Sequence, residues 1–164
     1  MRPPLETLIE TYRQNLYVAA FNVCKNTQDA EDVVQETFLQ YWSQRKEFET
    51  EQHVRAWLFR VAINRAKNVN NSFFRRSSIP LEDYMDQLVF PSEEASELFE
   101  AVMKLPVKYR VVIHLFYYED YSVQEIADIL KLSQSNVKVR LSRGRAALRN
   151  TLKEAWNDDE SGEV

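Results

Sequence analysis

Apolar residues recur at three- and four-residue steps from near the start of the chain. Leu5, Leu8, Ile9, Tyr12 and Leu16 share one side of a helix that turns about 100° per residue. The pattern restarts near Thr27–Asp29 and runs through VVQETFLQYW, where Val33, Val34, Thr37, Phe38, Tyr41 and Trp42 form the expected buried stripe. A third helix follows through VRAWLFRVAINRAKN, with Trp57, Leu58, Val61 and Ala62 inward. Periodicity lapses over residues 76–93, where Ser77, Ser78, Pro80 and Pro91 stand among acids, so this segment reads as a linker. It then resumes. A helix from about Ser92 to Lys104 ends before Leu105-Pro106, another spans about Val107 to Tyr118, and YSVQEIADILKLSQSNVKVRLSRGRAALR (121–149) supplies two more.

That last stretch has the layout of a helix-turn-helix. Ser122 caps the first helix and Glu125 completes a capping box. Ile126, Ala127, Ile129 and Leu130 make its buried side, Lys131-Leu132 the turn, and Ser133 caps the second helix. With Val137 set at 0°, Leu141, Gly144, Leu148 and Leu152 fall within about 60° and form the core face. Ser135, Val139, Ser142 and Ala146 lie opposite, with Lys138 and Arg149 flanking on one side and Arg143 on the other. Arg140 and Arg145 stand nearer the core margin, where long stems carry a charge outward. Small side chains in the middle and cations at the edges suit a helix laid in the DNA major groove: the backbone approaches closely, and arginines take phosphates or guanine edges.

Composition supports this picture. The chain has 164 residues and only two glycines, Gly144 and Gly162, which argues for helices joined by short polar links rather than for hairpins. The net charge of -4 hides a strong asymmetry. Residues 131–153 contain Lys131, Lys138, Arg140, Arg143, Arg145, Arg149 and Lys153 and no acid, whereas residues 77–100 are acidic with no Lys or Arg, and the tail turns acidic again from Glu154. A merely solvated helix gains from mixing Glu with Lys at four-residue spacing. An acid-free helix in an acidic chain therefore points to a polyanionic partner.

Other chemistry is sparse. Cys24, the only cysteine, lies in the apolar run VAAFNVC and reads as a core thiol; a chain without disulfides suits the cytoplasm. No apolar run approaches the roughly 20 residues of a membrane span, and MRPPLETLIE does not read as a signal peptide. His53 and His114 lack cysteine partners, so no metal site is expected. Glu93 and Glu94 are adjacent and do not face each other on a helix. With no phosphate loop and no nucleophile motif, neither an enzymatic activity nor a cofactor is expected.

Four blocks in order resemble the extracytoplasmic-function (ECF) sigma factors of bacterial RNA polymerase. DAEDVVQETFLQYW (29–42) resembles their region 2.2, HVRAWLFRVAINRAKN (53–68) regions 2.3 and 2.4, LPVKYRVVIHLFYYEDYSVQEIADIL (105–130) regions 4.1 and the start of 4.2, and SNVKVRLSRGRAALR (135–149) the recognition helix. The resemblance implies a protein that binds core RNA polymerase and directs initiation by recognising −35 and −10 promoter elements. It implies that Asp32, Gln35 and Phe38 contact the clamp helices of the largest subunit, and that Phe48, Asn64, Lys67 and Asn68 open the −10 element and capture an unstacked base. It assigns −35 contacts to Lys138, Val139, Ser142 and Arg143, with Asn136, Arg140 and Arg145 beside them. It also implies docking on the flap of the second-largest subunit through the surface around Val112, Leu115 and Phe116, and an anti-sigma partner.

The sequence departs from the family in places. Lys131 stands where the turn usually has Gly, Ser135-Asn136 replaces the usual Gly-Thr, and Asn68-Val69-Asn70-Asn71 replaces the common Asp-Tyr-Leu-Arg. The expected fold is all-α: two small helical domains joined by an acidic linker, with region 2 over residues 1–75, the linker over 76–93, region 4 over 94–155 and an acidic tail over 156–164. A stand-alone helix-turn-helix repressor or activator is the rival reading, and the VVQETFLQYW helix discriminates against it because such a protein does not need it. An anti-sigma-like interaction protein is another, and it should lack the acid-free helix.

Overall fold

The computed structural model describes the backbone of residues 1–71 and 90–161, with side chains through residues 69 and 154. Most of the expected linker, and the end of the acidic tail, lie outside the described residues.

Helix α1 (Leu5–Cys24) follows Pro4 and ends where Lys25 turns left-handed (φ 54°) and returns its N–H to the Phe21 carbonyl at 2.8 Å. Asn26 then caps α2 (Thr27–Gln44), its side chain accepting from the Asp29 N–H at 2.9 Å. Arg45 (φ 48°) stops α2, and α3 (Glu51–Asn71) completes an N-terminal bundle. Its core holds Leu8, Leu16, Val33, Leu58, Phe59 and Ile63. The N-terminal arm is tied down as well: Arg2 Nη2 donates to the Tyr41 carbonyl at 2.7 Å, and the Tyr41 hydroxyl donates to the Pro3 carbonyl.

Two expectations change here. Trp42 is 59% exposed rather than part of the stripe. Relative to Val34, Phe38 and Tyr41 turn by about 40° or less, but Trp42 by about 80°, which puts it on the face of Gln35 and Leu39. Cys24 is only half-buried at the helix end, its Sγ 3.6 Å from the Asn26 carbonyl.

The C-terminal unit starts with α4 (Glu93–Met103), capped by Ser92, whose Oγ accepts from the Ala95 N–H at 3.1 Å. Helix α5 (Val107–Ile113) continues as a π-helical turn over His114–Tyr118, so the single helix expected from Val107 to Tyr118 changes its winding near its end. Helix α6 (Val123–Leu130) has the full capping box, Ser122 Oγ accepting from the Glu125 N–H at 3.1 Å and Glu125 Oε1 from the Ser122 N–H at 3.0 Å. Ser133 Oγ accepts from the Asn136 N–H at 3.1 Å and opens α7 (Gln134–Ser161). A Cβ on Gly144 would stand 3.1 Å from the Ile113 side chain, so this glycine lets α7 lie close on α5.

With glycine so scarce, the left-handed residues among those described, Lys25, Arg45, Asp120 and Lys131, all carry side chains. Lys131 (φ 57°, ψ 50°) makes the helix-turn-helix turn. A Cβ in that conformation costs about 1 kcal/mol relative to Gly. Lys131→Gly is therefore expected to stabilise the chain by about 1 kcal/mol, read as a higher urea midpoint; an unchanged midpoint would show that the turn stores no such strain.

The two units pack together: α1 meets α5, α3 meets α6, and their buried residues form one continuous cluster. Arg110, 3% exposed, crosses the boundary. Its guanidinium donates to the carbonyls of Asn22 and Val23 at the end of α1, and to those of Met103 and Leu105 in its own unit.

Candidate nucleic-acid and polymerase interfaces

Helix α7 divides as its periodicity requires. Val137, Leu141 and Gly144 are buried, while Lys138, Val139, Ser142, Arg143 and Arg145 are exposed. The expected −35 residues thus form one accessible face, and no acid occurs on this helix before Glu154. Three of them are partly engaged already. Arg140 Nε donates to Asn136 Oδ1 at 3.0 Å, both residues being half-buried, and Arg145 Nη1 donates to the Tyr117 hydroxyl at 3.0 Å. Lys138, Val139, Ser142 and Arg143 are the side chains best placed to enter a groove.

On α3, Asn64, Lys67 and Asn68 share a stripe with Arg60, all within about 80° of it. Asn64 and Asn68 are exposed and Lys67 is half-buried. Burial, and then the nearby Arg140 guanidinium, hold the Lys67 ammonium below its ordinary value of 10.5.

Phe48 needs correction as a base-capture residue. It is 7% exposed, stacked on Tyr41 with ring centroids 6.2 Å apart and edge-on to Trp57 at 5.9 Å. Its N–H donates to the Met1 carbonyl at 2.9 Å. The ring therefore belongs to the core and offers no free stacking face, and Trp57 is buried beside it. What the loop does border is a cleft of about 560 Å³, with Lys46, His53 and Arg60 on one wall and Glu125 and Asp128 on the other.

On α2, Asp32 and Gln35 are exposed, and Asp32 Oδ1 accepts from Gln28 Nε2 at 3.1 Å. Phe38 is buried, yet it floors a groove of about 580 Å³ between α1 and α2. Leu5, Ile9 and Val34 line this groove, and Leu39 (64% exposed) and Trp42 stand at its rim. Leu39 and Trp42 were not among the expected contacts. The signal was available: two large apolar residues on a face that also carries Gln35.

Much of the apolar surface named for the flap is domain core, as expected. Val112 and Leu115 are wholly buried, Phe116 is half-buried, and the exposed aromatics in this part of the chain are Tyr117 and Tyr118. Among the described residues no group of His, Cys, Asp or Glu is placed to hold a metal ion, and no helix is long and apolar enough to cross a membrane.

Comparison with known proteins agrees with this arrangement. Residues 8–78 match the family model of Sigma-70 region 2, and residues 95–148 match that of Sigma-70, region 4. The chain is 32% identical to the ECF RNA polymerase sigma factor SigL of Mycobacterium tuberculosis over 160 residues, which covers 92% of this chain and 89% of SigL. It is 29% identical to the ECF RNA polymerase sigma factor SigX of Bacillus subtilis, over 98% of this chain and 91% of SigX. Among solved structures it resembles CnrH in complex with the cytosolic domain of CnrY, with a TM-score of 0.68 and 27% identity over 92% of this chain and 88% of that one. Its fold also matches the sigma factor RpoE of Bartonella quintana, solved with the anti-sigma factor NepR, with a TM-score of 0.69 and 21% identity over 90% of this chain and 96% of that one.

Proposed function

The chain belongs to the ECF family of RNA polymerase sigma factors, and from that premise we propose how its two helical units divide promoter-specific initiation between them. Sigma factors are non-catalytic initiation factors: they recruit core polymerase to −35 and −10 elements. In this reading residues 1–75 are the polymerase-binding and −10 unit, residues 94–155 the −35 unit, 76–93 the acidic linker and 156–164 an acidic tail. The chain has no catalytic activity of its own and works in the cytoplasm, where core polymerase and promoter DNA are found.

The observation that carries the reading is the exposed, acid-free face of α7 presented by a capped helix-turn-helix. Lys138 and Arg143 take phosphates or guanine edges, Ser142 a base edge, and Val139 a thymine methyl. Asn136, Arg140 and Arg145 steady this face and supply charge toward the backbone. Asn64, Lys67 and Asn68 hold the −10 strand, the amides by hydrogen bonds and the lysine by charge. Phe48 supports the loop from within instead of stacking on a base.

Core polymerase docks on α2, with Asp32 and Gln35 as polar contacts and the groove over Phe38, rimmed by Leu39 and Trp42, as the apolar anchor. This groove favours the sigma reading over a stand-alone duplex-binding repressor, which has no use for it. An anti-sigma partner covering the same surfaces is part of the proposal, since the sigma factor RpoE of Bartonella quintana, similar in fold, was solved with the anti-sigma factor NepR.

Trp42→Ala tests the docking face. An exposed aromatic anchor is worth about 2 kcal/mol or more at an interface, so affinity for core polymerase should fall roughly thirtyfold or more. The thermal midpoint should stay unchanged because the ring is not in the core. Undiminished binding to core would remove this groove from the interface.

A further inference from the structure

The N-terminal arm holds the loop that leads into α3. Residues 45–50 join α2 to α3, and of these only Phe48 is buried. Two backbone groups of this loop bond to the arm. The Phe48 N–H donates to the Met1 carbonyl at 2.9 Å, and the Lys46 carbonyl accepts from Arg2 Nη1 at 3.0 Å. Arg2 Nη2 turns to the end of α2, donating to the Tyr41 carbonyl at 2.7 Å with the Trp42 carbonyl at 3.4 Å. Carbonyls in the last turn of a helix have no intrahelical donor, and a cation there opposes the negative end of the helix dipole. One planar guanidinium thus spans the last turn of α2 and the loop beyond it. It also lies 4.4 Å over the Tyr41 ring, which stacks on Phe48 and whose hydroxyl donates to the Pro3 carbonyl.

The core already anchors the loop through the Phe48 ring. What Arg2 adds is the placement of the exposed part. Lys46, Glu47, Glu49 and His53 border the cleft of about 560 Å³ that reaches Arg60, at the end of the stripe of Asn64, Lys67 and Asn68. With Phe48 buried, a base that leaves the stack beside this stripe meets the polar rim of the loop and not an aromatic face. Reading an extruded base takes hydrogen bonds to its edge, and such groups must be held to about 0.5 Å, which a loop achieves only where other contacts fix it. At its far end the loop is fixed by Thr50, whose Oγ1 accepts from the His53 N–H at 3.2 Å. Toward α2, the arm fixes it. Both terminal nitrogens of Arg2 are directed at carbonyls of the chain, so the side chain is turned away from a phosphate role.

We propose that the N-terminal arm sets the base preference at the −10 element, with Arg2 as the positioning residue that fixes the loop of residues 45–50 against the end of α2. Arg2 acts through the loop and does not touch the DNA. The proposal rests on the assignment above of α3 and its preceding loop to the −10 element.

The test uses the full chain with core polymerase, as wild type, Arg2→Ala and Arg2→Lys. The probe is a fluorescein-labelled single strand carrying the −10 sequence that the wild-type holoenzyme selects, alongside strands with one base changed. The ratio of affinities for selected and changed strands should fall about tenfold in Arg2→Ala, the worth of one base contact, while preference for the −35 element stays unchanged. Arg2→Lys should not restore the ratio, because a compact ammonium cannot span two carbonyls as a planar fork does. Amide hydrogen exchange over residues 46–50 should quicken in both variants, with the buried amides of α1 and α3 as protected as in wild type. Full recovery in Arg2→Lys would overturn the proposal, since charge alone would then suffice. So would a uniform loss of affinity for every strand with a shallower salt dependence, which marks a phosphate contact. Lost protection throughout the bundle would overturn it as well, by making Arg2 a residue of general stability. A wild-type holoenzyme that discriminates no −10 base sinks the sigma assignment and this role together, whereas discrimination that both variants keep sinks the role of the arm alone.

Discussion

Arg110→Ala is expected to destabilise the protein by about 3 kcal/mol or more, because each buried carbonyl left without a donor costs about 1–3 kcal/mol. The guanidinium reaches carbonyls of Asn22 and Val23, which belong to the last turn of α1 and have no intrahelical partner. A cation there also opposes the negative end of the helix dipole. The same group reaches Met103 and Leu105, so one side chain satisfies carbonyls from both units. Arg110→Lys should recover only part of the loss, because an ammonium is a compact charge and cannot present a planar fork to carbonyls on two sides. Urea denaturation monitored by far-ultraviolet circular dichroism checks this. A loss below about 1 kcal/mol, typical of one ordinary hydrogen bond, would mean that the carbonyls find other donors.

The second large effect concerns specificity rather than stability. Lys138→Ala combined with Arg143→Ala should abolish preference for the −35 element while leaving the fold intact, since both side chains are exposed and make no contact with the core. Each good base contact discriminates by about 1–3 kcal/mol. Loss of the pair is therefore expected to reduce initiation at a −35-dependent promoter by roughly a hundredfold or more relative to a scrambled −35 control. Retained preference in the folded double variant would show that another face of α7 reads the element.

The parts of this protein that were legible in the sequence are those that local physics decides. The capping box at Ser122 and Glu125, the turn at Lys131 and the inward set Val137, Leu141 and Gly144 all follow from neighbours within a few residues. Trp42 was misplaced because an apolar side chain at the edge of a stripe serves a core and a docking face equally well, and an offset of about 80° is close to that boundary. Phe48 lies in a loop where no period applies. Its burial depends on Met1, Tyr41 and Trp57, which only the folded chain assembles. The contacts between units were out of reach for the same reason: Arg55 and Glu119 are 64 residues apart. Arg110 did leave a trace, as a cation flanked by Val107 and Ile113 at three-residue spacing. Nothing in the sequence alone indicated that its partners would be the carbonyls of another helix.

Promoter-specific initiation is the activity on which every assignment to this chain rests. Its most direct test is transcription by core RNA polymerase on a promoter library, with and without the purified chain. A stable complex with core is expected, together with a set of transcripts, present only when the chain is added, whose promoters share a −35 and a −10 element. Absence of such a complex, or transcripts unchanged by the chain, would contradict it.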